Sequence, residues 1–232
     1  MRSCYFFDMD STLLEMNQDL FIDKYFKLIQ TEIINNGYDL KEFMELFNKA
    51  VYCILKNDGK CTNEELFWNI MKTKYDYNKL NDLFNNFYNG SYLTLEGIVK
   101  KTNNPKEIIS KLKNKGFRLV VATAPIFPKF AVETRLKWAG LNPSDFDIIT
   151  DYSYSHYSKP KREYYNEILN TLNLKPEDCF MVGNDLDDDF IDLPEGFQKI
   201  LITDNMLNRK NVEIKKSDFF LITTLEEFNK SI

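Results

Sequence analysis

Two carboxylates, Asp8 and Asp10, stand where an apolar run, Cys4-Tyr-Phe-Phe7, gives way to the polar Ser11-Thr12. Such a run reads as a buried strand, and side chains at a strand tip of an open parallel sheet face the crevice where ligands bind. Carboxylates held this close repel each other, so keeping both ionised is costly without a cation or a shared proton. A bound Mg²⁺ meets that need. The competing reading is a plain turn in which Asp10 or Ser11 caps the helix that follows.

Three further stretches supply what the pair lacks. Thr123 closes a second apolar run and is followed by Ala124-Pro125. A hydroxyl with free backbone N–H groups cradles phosphate oxygens without bulk, although a Thr before a proline turn needs no ligand. Lys159 precedes Pro160 and the start of a helix, an end where a cation is unfavourable unless an anion offsets it. With Lys161 and Arg162 adjacent, a solvated basic turn is the alternative. The run from Cys179 to Phe190 breaks at Gly183 into Asn184, Asp185 and Asp187 to Asp189, oxygen donors suited to a hard cation but without the glycine spacing of a calcium loop. Taken as an exposed turn, the same stretch is merely acidic. His156, the only histidine, pairs with no nucleophile in the pattern and reads as structural. Jointly the four stretches provide a carboxylate nucleophile, a phosphate donor, a cation and a metal seat, which are the parts of phosphoryl transfer.

Positioning these groups requires strands that end side by side. After Leu14 the apolar period turns helical. One helix is expected from Gln18 to Asn35, with Leu20, Phe21, Tyr25, Leu28 and Ile29 on its apolar side. A second opens on an Asp39–Glu42 capping box, a third on Thr62 with Glu65, and a fourth carries Leu80, Leu83, Phe84 and Phe87 and stops at Asn89-Gly90. Four such stripes bury one another, which makes residues 15–92 a helical module whose aromatic residues read as core. From Leu93 helices and strands alternate. Strands are expected over Phe117 to Thr123 and near Phe146 to Thr150, Cys179 to Val182, Lys199 to Thr203 and Phe219 to Ile222. The expected fold is therefore α/β, a doubly wound, mainly parallel sheet formed by residues 1–14 and 93–232, with the helical module inserted after its first strand.

The 232 residues suffice for one large domain or a domain with an insertion, and 44% hydrophobic with 15% aromatic residues exclude long disorder. A net charge of -5, from 30 basic and 35 acidic residues, leaves no electrostatic footprint for nucleic acid. Four scattered cysteines lack metal-ligand spacing and read as reduced thiols. Arg2, Asp8 and Asp10 interrupt any leader, and no uncharged run reaches the ~18 residues of a membrane span, so a cytoplasmic protein without membrane partners is expected.

On Asp8-Met-Asp10-Ser-Thr12, Thr123, Lys159-Pro160 and Gly183 to Asp189, in that order and spacing, the chain resembles the haloacid dehalogenase superfamily of phosphatases and phosphotransferases. The position of the helical insertion resembles the subgroup with an alpha-helical (type C1) cap. The resemblance implies that Asp8 attacks phosphorus and forms an aspartyl-phosphate, and that Asp10 protonates the leaving oxygen and then activates water. Thr123, the Ala124 N–H and Lys159 would hold the phosphate. Mg²⁺ would sit between the Asp8 carboxylate, the Asp10 carbonyl and the 184–189 loop, where Asn184, Asp185 and Asp189 are candidate ligands. Two departures bear on the site: Ala124 stands where many members have Asn, and Gly183-Asn184-Asp185 where many have Gly-Asp. Ser11 replaces a commoner Gly, a change expected to be harmless. The expected activity is Mg²⁺-dependent hydrolysis of a small phosphorylated metabolite, the alternatives being a phosphomutase or a binding protein with a weakened site.

Overall fold

A computed structural model describes residues 3–100 and 104–232; Arg2 lies outside them. Six strands form one sheet: β1 (Cys4–Phe7), β2 (Arg118–Val121), β3 (Ile148–Ile149), β4 (Cys179–Gly183), β5 (Gln198–Ile202) and β6 (Leu221–Thr223). Their order is β3-β2-β1-β4-β5-β6 and every pairing is parallel. The expected doubly wound sheet is therefore present. Order reverses at β1, which pairs β2 on one side and β4 on the other, so the crevice of the switch point opens beyond Phe7.

Burial on both faces explains why β1 is an unbroken apolar run. Tyr5 and Phe7 enter one hydrophobic cluster, Cys4 and Phe6 the other. Phe7 lies level with Val121 and Val182, so the next residue of each strand emerges at the same height. This register brings Asp8, the segment after β2 and the loop after β4 to one rim.

Between β1 and the rest of the sheet lie α1 (Gln18–Asn35), α2 (Leu40–Leu55), α3 (Asn63–Met71) and α4 (Tyr77–Asn89), followed by a 3-10 segment, Ser91–Ile98. In α1 the buried stripe is Phe21, Tyr25, Ile29 and Ile33, while Leu20 is 41% exposed, one step off the face expected for it. Asp39 caps α2, but Glu42 pairs with Lys74 and does not close the expected box; the reciprocal Thr62–Glu65 box of α3 is complete. These helices share the cluster of Tyr5 and Phe7, so the helical layer and one sheet face have a common core. The start of α3 is also tied to the core, since Asn63 and Glu64 donate backbone hydrogen bonds to Ser155 and Tyr152.

The helices α5 (Pro105–Asn114), α6 (Lys129–Trp138), α7 (Arg162–Leu172) and α8 (Leu225–Ser231) cover the sheet. α8, a seven-residue helix opened by a Thr224–Glu227 capping box, had no counterpart in the sequence reading.

Candidate active site

A cavity of about 140 Å³ lies at the rim of the sheet, with Asp8, Asp10, Thr123, Ala124 and Lys159 among its walls. The Lys159 ammonium donates to Asp8 Oδ1 at 2.8 Å and to Asp189 Oδ1 at 2.5 Å, and its side chain is 2% exposed. Burial works against this charge, yet Asp189 and Asp8 together hold the ammonium well above its ordinary value. One cation thus serves two buried carboxylates. Burial pushes the Asp189 carboxyl up and the charge of Asp8 adds to the effect, against the pull of Lys159. Asp189 is further held by the Asp185 N–H, and a Cβ at position 183 would collide with its carboxylate, which is why the strand ends in glycine there.

Asp10 meets a different cation. Arg135, in the last turn of α6, donates to Asp10 Oδ2 at 2.5 Å and is 1% exposed. Its guanidinium lies 4.5 Å from the ring centroid of Phe127 and 5.9 Å from that of Phe21, the arrangement of a desolvated cation–π contact. Burial pushes the Asp10 carboxyl up; Arg135 pulls it back without cancelling the shift. Asp10 Oδ1 is buried with no partner among the described residues, which leaves an acceptor for a proton or a ligand hydroxyl.

Thr123 is fixed through its backbone. The Thr150 hydroxyl donates to the Thr123 carbonyl at 2.9 Å, as does Tyr164 at 3.0 Å, while the Thr123 side chain lines the cavity. Asn184 does not line it. Its amide accepts from Thr12 at 3.0 Å and donates to the Asn205 carbonyl at 2.7 Å, so this residue braces the two loops against each other. Asp185 and Asp188 face the cavity. His156 pairs with Glu167 at 2.6 Å and takes no part in the cavity wall.

The acidic mouth fits a hard divalent cation. Its donors are oxygens: the carboxylates of Asp8, Asp185 and Asp188 and the Asp10 carbonyl. Burial, then the charge of Asp185, pushes the Asp188 carboxyl up, as expected of carboxylates short of counter-charge. Arg209 reaches into this mouth, donating to Asp185 at 2.5 Å and to Gln18 at 3.3 Å, and Gln18 donates to the Asp10 carbonyl at 2.9 Å. Among the described residues no three His, Cys, Asp or Glu side chains are grouped so as to hold a metal ion by themselves. Mg²⁺ does not require such a group, since it is held by one or two carboxylates completed by water and substrate phosphate.

Sequence reasoning did not identify Arg135, Thr150, Tyr164, Gln18 or Arg209 as parts of the site, and it placed Asp188 only within the acidic 184–189 loop. Arg135 lies four residues after Ala131 and three before Trp138, on the buried side of α6, but a charge at that spacing does not by itself announce burial.

Residues 3–190 match the model of the haloacid dehalogenase-like hydrolases, and the chain belongs to that family. Among curated relatives it is 22% identical over 231 residues to a pyrophosphatase PpaX of Bacillus cereus, with 97% of each chain covered. Three solved structures share its fold. A predicted phosphoglycolate phosphatase from Haemophilus somnus superposes with a TM-score of 0.59 at 18% identity, covering 99% of this chain and 97% of that one. CbbY from Rhodobacter sphaeroides in complex with phosphate gives 0.56 at 16% identity, covering 96% and 93%. YfnB from Bacillus subtilis, bound to magnesium, gives 0.55 at 18% identity, covering 100% and 99%. Among the described residues no helix is long and apolar enough to cross a membrane.

Proposed function

We propose that the protein is a Mg²⁺-dependent phosphatase of small phosphorylated metabolites that works through an aspartyl-phosphate. The observation that carries this reading is the buried Lys159 ammonium between Asp8 and Asp189, in one cavity with Thr123 and Asp10. Lys159 keeps the Asp8 carboxylate oriented and offers positive charge to phosphoryl oxygens. Thr123 and the Ala124 N–H hold those oxygens. The bond from Asp8 Oδ to phosphorus forms as the ester P–O bond breaks, and Asp10 hands a proton to the departing alkoxide. Asp10 then takes a proton from water as that water attacks phosphorus, releasing phosphate and restoring Asp8. When bound, Mg²⁺ supplies positive charge against the phosphoryl oxygens; Asp8, Asp185, Asp188 and the Asp10 carbonyl are the groups that would hold it. The helices α1–α4 act as the cap, with Phe21 and Ile22 closing the cavity from above.

The relatives named a pyrophosphatase and a phosphoglycolate phosphatase support phosphate chemistry on small substrates. Hydrolysis of an aryl phosphate with Mg²⁺ present, lost in Asp8→Asn, is the expected result. Failure to turn over any phosphate ester in a broad panel, with no Mg²⁺ binding by calorimetry, would overturn the reading.

A further inference from the structure

A second cavity, of about 160 Å³, lies beside the first, and Ile126 forms part of the wall of both. It is bounded by Phe47, Phe67, Trp68 and Phe84 of the helical layer, and by Phe130 and Tyr152 of the core. The rings meet edge to face, Phe47 with Phe67 at 5.8 Å and 83°, and Phe67 with Trp68 at 5.3 Å and 82°. Aromatic side chains in an ordinary core fill their space. Here they surround a void, and an apolar cavity of roughly 150 Å³ accepts a benzene-sized guest.

Two other features describe what fits. Asn81, Asn85 and Asn89 of α4 border this cavity at one-turn intervals, so their carboxamides stand on the same side of the helix and offer donors and acceptors along one edge of the ring-walled space. Phe130, in the same wall, is 41% exposed. The wall towards the first cavity also carries a connection: Tyr25 borders the aromatic cavity and meets Phe127 edge to face at 5.4 Å, and Phe127 carries the Arg135 guanidinium.

We infer that this cavity binds one flat aromatic or heteroaromatic ring with a polar edge, and that the ring belongs to the alcohol part of the phosphate ester whose phosphoryl group enters beside Asp8. The second half rests on the phosphatase reading above. The linings support the division: the first cavity, with Lys159 and Thr123 in its wall, suits a phosphoryl group, the second, walled by rings, suits a single ring, and Ile126 is shared between them. The substrate class is thus an aryl-bearing phosphomonoester.

Benzyl phosphate and ethyl phosphate test this, because their alcohols leave with similar ease and differ mainly in the ring. The expected kcat/KM ratio is about a hundred in favour of benzyl, the value of burying one ring, and Val51→Phe, which fills the cavity, should cut that ratio at least tenfold. Benzyl alcohol should change Trp68 fluorescence in the unaltered protein and compete with benzyl phosphate. If benzyl alcohol binds without competing, the ring belongs to a separate effector and the substrate assignment falls. A benzyl-to-ethyl ratio near one with no Trp68 response overturns the site itself. If neither ester, nor acetyl phosphate, is turned over with Mg²⁺, the phosphatase reading fails, while the Trp68 titration still decides whether a ring binds.

Discussion

Asp8 and Asp10 are two residues apart, yet their counter-charges come from opposite parts of the core. Lys159 reaches Asp8 from the turn before α7 and is shared with Asp189, whereas Arg135 reaches Asp10 from the last turn of α6 and pairs with that carboxylate alone. The lysine end is closed: Asp189 is fully buried and each ion-pair contact has a hydrogen-bonding geometry. The arginine end is looser, because Asp10 is 21% exposed on its side chain, one of its oxygens is unpartnered, and Arg135 rests largely on ring faces. In physical terms a nucleophile needs a fixed, ionised carboxylate, while a group that gives and takes a proton needs an environment in which neither form is strongly held. On the roles proposed above, with Asp8 as nucleophile and Asp10 as acid and base, the two cations would supply those two environments.

Removing the shared lysine is expected to have the largest effect. Lys159→Met leaves two buried carboxylates without their cation, and breaking a buried pair costs ~3–5 kcal/mol. For a chain of this size that lowers Tm by about 10 °C, with turnover falling at least about a thousandfold; a thermal melt and an aryl phosphate assay read both. Arg135→Met, which keeps an unbranched side chain in the buried site but removes the guanidinium that lies on Phe127, should cost less stability and lower kcat by about a hundredfold. It also carries a signed pH effect. Arg135 now pulls the Asp10 carboxyl down, so its loss lets burial push that carboxyl higher still, and the limb of the kcat/KM profile that falls as Asp10 loses the proton it gives to the alkoxide moves to higher pH. Equal losses of Tm in the two variants would remove the distinction drawn between the two ends.

Asp8, Lys159 and the metal-loop carboxylates were legible because each follows or precedes an element whose pattern is unambiguous. β1 and β4 are apolar throughout since both of their faces are covered, so the residue at which polarity begins marks the rim. Arg135 was not legible as a site residue. In Lys129-Phe-Ala-Val-Glu-Thr-Arg-Leu-Lys-Trp138 it looks like one more surface charge, and its burial depends on ring faces supplied by Phe127 and, from α1, by Phe21. Asn184 could not be separated from Asp185 in the sequence because its partners, Thr12 and the Asn205 carbonyl, are distant in the chain. Leu20 lay off the buried stripe for a similar reason: the covered face of α1 is set by what packs on it, and periodicity alone leaves its phase uncertain by one residue.

A smaller effect is expected at the acidic mouth. The folded Asp188 carboxyl is raised, by burial first, so the folded protein binds more protons than the unfolded chain above the unfolded value near ~4. Stability therefore falls as pH rises from that value through the folded one. Asp188→Asn removes this loss and should raise Tm by about 2–4 °C at pH 7 without Mg²⁺, the gain shrinking towards pH 4. A Tm difference independent of pH would show that Asp188 gains or loses packing instead. The same substitution should weaken Mg²⁺ binding in calorimetry, which ties the stability cost to the metal seat.

The smallest effect concerns the turn that follows the two carboxylates. Ser11 follows Asp10 with φ at +68°, a region that costs a non-glycine residue about 1 kcal/mol or more. Glycine would relieve that strain, but the Ser11 hydroxyl donates to the buried Met16 carbonyl at 2.9 Å. Losing that bond costs ~1–2 kcal/mol with the acceptor left unsatisfied, and the greater freedom of unfolded glycine costs a further ~0.5–1 kcal/mol. The losses outweigh the relief, so Ser11→Gly is expected to destabilise by about 1 kcal/mol. Ser11→Ala, which loses the bond and keeps the strain, should be at least as destabilised. Serine here is thus held in place by its hydrogen bond and not merely tolerated. Denaturant unfolding that ranked the glycine variant above the unaltered protein would show that backbone strain, not the Met16 contact, governs the stability of the turn after Asp10.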